Sequence, residues 1–135
     1  MQIGKLHTTN YTNAFIETAD DCPATTGIVP PDKTPKTTAQ AEFEMMIGNP
    51  YRYTSDDVIY ATKGKAKGIS RDDFFLKGQP CLRTSSLTKR YGWGVHCNGE
   101  GKIALYAVDS DEYRGFANNA DIKHVKAMSQ SRKGK

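Results

Sequence analysis

The chain is short of aliphatic residues: Leu, Ile, Val and Phe occupy 23 of its 135 positions. Joined to a high net charge, that shortage would mark a disordered chain. The net charge is only +4, however, and seven Tyr, four Met and one Trp add core material. One compact domain over residues 1–135 is expected, loose at about 1–10 and 129–135. Long apolar runs are missing too. The longest, residues 103–108, falls far short of the roughly 20 residues of a membrane span, so no membrane partner is expected. Residues 1–10 carry no apolar core of a secretory signal. Cysteine is scarce and odd in number: Cys22, Cys81 and Cys97 do not make a disulfide framework. Free thiols in a reducing cytoplasm are the expectation. The Cys and His residues show no CxxC, HxxxH or HExxH spacing and no GxxxxGK[ST] loop occurs, so neither a metal nor a cofactor is expected.

Charge is present but unevenly placed. Residues 1–59 carry four Lys/Arg against eight Asp/Glu, whereas residues 60–135 carry fifteen against seven. The basic excess gathers at Lys63, Lys65, Lys67 and Arg71, at Arg83, Lys89 and Arg90, and at Arg132, Lys133 and Lys135. Such a half can attract nucleic acid or another polyanion. Scattered lysines are also the ordinary means of solvating a surface.

Local patterning predicts a strand over 14–18, ending at "ADDCP". A long Pro- and Thr-rich surface loop follows over 22–38. Thr37 or Thr38 caps a helix with Ala39, Phe43, Met46 and Ile47 at apolar spacing, stopped by Gly48 and Pro50. Thr54 or Ser55 opens a second helix, reaching toward Ala66, with Asp56 and Asp57 in its first turn. "GKAKG" at 64–68 reads as a flexible basic loop. Ser70 caps a third helix carrying Phe74 and Phe75. Residues 81–83 read as extended and 85–90 as one helical turn. "NGEG" between 91–97 and 102–108 signals a hairpin. Ser110 caps a helix with Tyr113, Phe116 and Ala117, and 122–127 reads as a last strand. The sum is an α+β domain, a small mainly antiparallel sheet with packed helices.

At "HTTNYTNAFIETADDCP", "NPYRYTSDDV" and "KGQPCLRTSSLTKRYGWGVH…GKIALY" the chain resembles a family of small bacterial proteins of unknown function, over about residues 7–128. The resemblance implies no catalytic or binding residues. Relative to the family pattern, Cys97 stands where a small polar or acidic residue is expected, and the stretch 63–70 is short.

Several groupings bear on chemistry. Ser85 and Ser86 open a helical turn whose free N–H groups favour an anion, with Arg83 before them and Lys89 and Arg90 within a turn. That grouping would hold a phosphate, a carboxylate or a nucleic-acid backbone; simple capping explains the serines equally. Period-two alternation puts Gly92, Gly94 and His96 on one strand face, a bare strip that reads as the floor of a ligand groove with Trp93 on the other side. Glycines that let a helix approach the strand give the same pattern. A Cys81–His96 pair would make a small enzyme, and Cys22 with His7 is a second pairing, although no elbow motif surrounds either. His96 and Cys97 point to opposite faces. Tyr51, Tyr53 and Tyr60 near Lys63–Lys67 could stack bases or fill the core. The loop 22–38 is a candidate protein-interaction segment. The leading expectation is a non-catalytic module for an anionic ligand, phosphate-bearing or nucleic acid.

Overall fold

The structure is a computed structural model that describes residues 6–129. Residues 1–5 of the expected loose lead-in and 130–135 of the polar tail lie outside the described residues. Strands β1 (Ala14–Glu17), β2 (Trp93–Cys97), β3 (Ile103–Ala107) and β4 (Lys123–Lys126) form one sheet in the order β3-β2-β1-β4. The β3–β2 and β2–β1 pairs are antiparallel, while β4 joins β1 in parallel. The hairpin forms where "NGEG" places it. Asn98 Oδ1 accepts from the Glu100 and Lys102 N–H groups, each at 2.9 Å, and Gly101 takes a φ of +78° that L side chains avoid.

Register sorts the side chains onto two faces. Ala14, Ile16, Val95, Cys97, Ile103 and Leu105 share one. That face is covered by α1 (Thr38–Ile47), α2 (Ser55–Ile59), α3 (Arg71–Phe75) and α4 (Ser86–Lys89), which contribute Phe43, Met46, Val58, Ile59, Phe74, Phe75 and Leu87 to the main core. The opposite face carries Phe15, Gly94, His96 and Tyr106 beneath a single helix, α5 (Asp111–Ala117). Tyr113 and Phe116 of α5 meet Phe15 with ring centroids 4.9 and 5.3 Å apart.

The helices open on short-range caps. Thr37, Thr54, Ser70, Ser85 and Ser110 each accept a hydrogen bond from a backbone N–H two or three residues on, Thr54 within a full capping box with Asp57. Two elements differ from expectation. The second helix runs on past Ile59 not as α-helix but as a π turn over Tyr60–Gly64 and a 3-10 turn over Lys65–Lys67. Thr62 Oγ donates back to the Val58 carbonyl at 2.9 Å, competing for the acceptors of that turn. At Gly64 a Cβ would come within 2.7 Å of Tyr60 and 2.8 Å of Phe74, so the bare backbone lets both rings close on it. Residues 82–84, which overlap the stretch 81–83 expected to be extended, form a 3-10 turn in which Leu82 is buried in the core and Thr84 Oγ donates to the Cys81 carbonyl.

The described part of the lead-in is tied down. The His7 N–H donates to the Phe75 carbonyl at 2.8 Å, and Thr8 and Thr9 bind the Asp56 carboxylate. The loop 22–38 is irregular, as its prolines require, yet it is anchored on the sheet. Ile28 N–H donates to the Tyr91 carbonyl and Trp93 Nε1 donates to the Ile28 carbonyl, both at 2.8 Å.

Strand β4 is short, exposed and lysine-flanked, which suits an edge. Both ring nitrogens of its His124 face acceptors: Nδ1 a Glu17 carboxylate oxygen at 2.9 Å, Nε2 the Asn119 carbonyl at 2.6 Å. Only the imidazolium carries N–H on both. The Asn119 carbonyl first, then Glu17, hold the His124 pKa above its usual value. A raised folded-state pKa contributes stability that is complete below the ordinary imidazole value of about 6.5 and is lost as pH climbs through the folded one. Lys126 and Asp20 complete the charged set around Glu17. Amide exchange of β4 is therefore expected to lose protection relative to β2 between about pH 6 and about pH 8, and His124→Gln to erase that difference. A pH-independent ratio in the native protein would count against the clamp.

Candidate functional site

A cleft of about 520 Å³ opens between the start of α1, the π turn after α2, and α3. Lys63, Lys67 and Lys77 line it, against one carboxylate, Asp73. Among the described residues none of the three lysines forms an ion pair. The local backbone explains how they converge. "GKAKG" is ordered rather than flexible: Ile69 N–H donates to the Gly64 carbonyl at 3.1 Å, Tyr60 Oη donates to the Ile69 carbonyl at 2.8 Å, and Gly68 turns the chain with φ +74°. Phe74 and Ile69 give the cleft an apolar side. Thr38 and Thr62 bring hydroxyls to its wall, and Gln79 brings its amide, whose Nε2 donates to the Phe74 carbonyl at 2.7 Å.

One helical turn along α1 from Thr38 is Glu42, 2% exposed. Its Oε1 accepts from Ser85 Oγ at 2.7 Å. Burial pushes its pKa up, while the Ser85 hydrogen bond and the charge of Lys63 pull it partly back.

The residues singled out for an anion are not gathered as expected. Ser85 does cap α4, but its hydroxyl is buried and committed to Glu42, so a carboxylate already occupies the place an anion would take. Arg83 turns to the sheet edge, where its Nε donates to the Lys126 carbonyl at 2.6 Å. Ser86 is the first residue of α4, while Lys89 and Arg90 close the opposite end of that four-residue helix. Capping accounts for Ser85 and an edge contact for Arg83.

The groove expected beside Trp93 and His96 is filled. Trp93 packs on Phe43 at 5.3 Å and is covered by the loop at Gly27 and Ile28. On the other face, a Cβ at Gly94 would lie 2.6 Å from Tyr113 and 2.7 Å from Phe15, so this glycine serves the close approach of α5. Gly92 precedes β2 and takes φ +81° against the Thr26 carbonyl. His96 stacks on Phe116 at 4.0 Å, and its Nδ1 lies 2.8 Å from Tyr51 Oη, which in turn lies 3.0 Å from Tyr106 Oη. Burial holds the His96 pKa below the usual value, favouring neutral imidazole, and raises that of the Tyr51 phenol. Tyr51 adopts φ +60°, unusual for an aromatic residue, and two phenolic contacts plus its N–H bond to the Ile103 carbonyl hold it there.

The Cys81–His96 pair is not assembled. Cys81 Sγ sits 3.6 Å from Tyr11 Oη and beside Cys97, whose thiol burial, and then the neighbouring Cys81, push up to about 12. Cys97 is on the core face of β2 and His96 on the α5 face. Cys22 and His7 likewise have separate neighbours, the Ala24 carbonyl and the Gly78 turn. Tyr51, Tyr53 and Tyr60 do not form one stacking platform: Tyr51 joins His96, Tyr53 packs on the core and Tyr60 meets Phe74. The basic loop was visible in the sequence, but spacing alone could not bring Lys77, Thr38 and Gln79 to it.

A four-stranded sheet with four helices on one face, one on the other and a lysine-lined cleft at the edge of the larger layer defines an α+β domain. No helix among the described residues is long and apolar enough to cross a membrane. The chain belongs to DUF6157, a family of unknown function, whose model matches residues 6–133. No curated protein and no solved structure matches it.

Proposed function

We propose that the protein is a non-catalytic binding module for a phosphate-bearing small molecule, held in the cleft of Lys63, Lys67 and Lys77 within the cytoplasm. The observation that carries this reading is the charge of that concave space: three ammonium groups face one carboxylate. A phosphate monoester, close to a dianion at neutral pH, matches the two positive charges in excess. Thr38 and Gln79 supply hydrogen-bonding groups for its oxygens. Phe74 and Ile69 offer an apolar side for the rest of the molecule, and the volume is that of a small-molecule site.

Calorimetric titration with inorganic phosphate and with a nucleoside monophosphate tests the reading. Lys63→Ala with Lys77→Ala is expected to weaken both by at least about 100-fold, since each charge-assisted contact contributes about 1.5–3 kcal/mol. The melting temperature should change little. Equal affinity in the double variant would sink the proposal. Tighter binding of a single-stranded oligonucleotide, with a steep fall in salt, would reassign the basic surface to nucleic acid.

A further inference from the structure

Glu42 is a buried carboxyl group that simple anion binding leaves without a role. It follows Thr38 by one helical turn, so both side chains leave α1 on the same face, Thr38 at the cleft wall and Glu42 buried. An ionised carboxylate at 2% exposure needs compensation from its surroundings. From α4 it receives the hydroxyl of Ser85. From the π turn it receives the field of the Lys63 ammonium. Strand β3, also packed on α1, brings the apolar Ile103 and Leu105. Lys63 therefore faces two claims, one from Glu42 inside the protein and one from any anion in the cleft.

Resting on the binding reading above, we propose that filling the cleft is coupled to proton uptake by Glu42. An anion that engages Lys63 competes for a charge that, after the Ser85 hydroxyl, favours the ionised form of Glu42, and where Glu42 is ionised two anions then flank one ammonium. A proton from the solvent forms an O–H bond at the carboxylate and removes the conflict, leaving a neutral acid hydrogen-bonded within the core. Coupling is reciprocal: if the anion favours protonated Glu42, a protonated Glu42 favours the anion. Affinity should then rise as pH falls, in a window lifted above the ordinary carboxylate range because burial already raises this group.

Inorganic sulfate is the suitable probe, because phosphate itself gains a proton near pH 6. In the native protein sulfate should bind more tightly as pH falls from neutral toward the ordinary carboxylate range, by up to about tenfold for each pKa unit that occupancy adds to Glu42. Titrations in two buffers of different ionisation enthalpy should register proton uptake. Glu42→Gln keeps an acceptor for Ser85 Oγ and cannot titrate, so it should bind at the low-pH affinity throughout and take up no proton. The other titratable groups near the cleft are Asp73, on its wall, and His7, whose ring lies beside Gly78. Proton uptake that persists in Glu42→Gln would assign the coupling to one of those two and overturn the inference, with the binding reading intact. Absence of sulfate binding at any pH would overturn the binding reading itself. A carboxyl carbon-13 measurement on native protein is independent of the variant's folding: the Glu42 signal should move toward the protonated position on adding sulfate, and a stationary signal refutes the coupling.

Discussion

Phe15→Ala is expected to remove about 3–5 kcal/mol of folding free energy, a large share of the roughly 5–15 kcal/mol that holds a domain of this kind together. Phe15 is fully buried in β1, with β2 on one side and β4 on the other. Its ring is the main apolar anchor for α5, edge-on to Tyr113 and tilted against Phe116. The space it fills exists because Gly94 has no side chain. Truncation leaves a cavity that neither Gly94 nor the short α5 can close, so both the transfer term and the cavity term should be felt. Phe15→Leu, which keeps most of the volume, should lose less than half as much. Urea denaturation of the three proteins measures this. A loss under about 1 kcal/mol for Phe15→Ala would show that α5 is held mainly by other contacts, such as the Tyr113 hydroxyl at the Thr18 N–H.

Asp56→Ala should cost about 2–4 kcal/mol, the price of leaving buried donors without acceptors. The carboxylate takes the Thr9 N–H and the Thr9 hydroxyl at 2.7 Å each on Oδ1, and the Thr8 hydroxyl at 2.6 Å on Oδ2. Asn10 completes the junction, its Oδ1 accepting from the Asp56 N–H at 2.9 Å. "HTTNY" and "TSDDV", two of the segments that carry the family resemblance, thus recognise each other. Their first role is to fasten the start of the chain onto α2. Asp56→Asn keeps one oxygen for the buried Thr9 donors and should recover about half of the loss. Hydrogen exchange at the Thr9 amide is the sharpest readout: full protection surviving in Asp56→Ala would refute the assignment.

What the sequence made legible was local. The caps at Thr37, Thr54, Ser70 and Ser110 and the "NGEG" hairpin depend on groups within a few residues of one another, so their patterns carry their own explanation. Helix α1 shows where that legibility ends. Ile47 belongs to its apolar spacing, yet it is 44% exposed at the helix end, while the polar Gln40 and Glu42 are buried. Their burial depends on distant partners. Gln40 bonds Asp32 and Lys33 of the long loop, and Glu42 bonds Ser85, forty-three positions away. The same commitment that explains Glu42 removes Ser85 from the anion site expected around it. The parallel β1–β4 pair and the meeting of Lys63 with Lys77 and Thr38 are likewise products of long-range folding. Alternation along β2 did place His96 and Cys97 on opposite faces, and the reading of its glycines as room for a helix is the one that α5 fulfils at Gly94.

The position of β1 between β2 and β4 also sets a schedule for synthesis. The strand at the heart of the sheet is made well before its neighbours, which start only at Trp93 and Lys123. Loop closure over such separations is slow compared with forming the intervening helices, so the nascent chain carries Ala14–Glu17 with both edges open until Trp93 and Lys123 have followed it. A short apolar strand in that state is a hazard for pairing with other chains. The acidic groups at its end and just behind it, Glu17, Asp20 and Asp21, are well placed to repel such pairing. Two of them later become partners of Lys126 when β4 docks, so the charges that guard the strand during synthesis also help to close it.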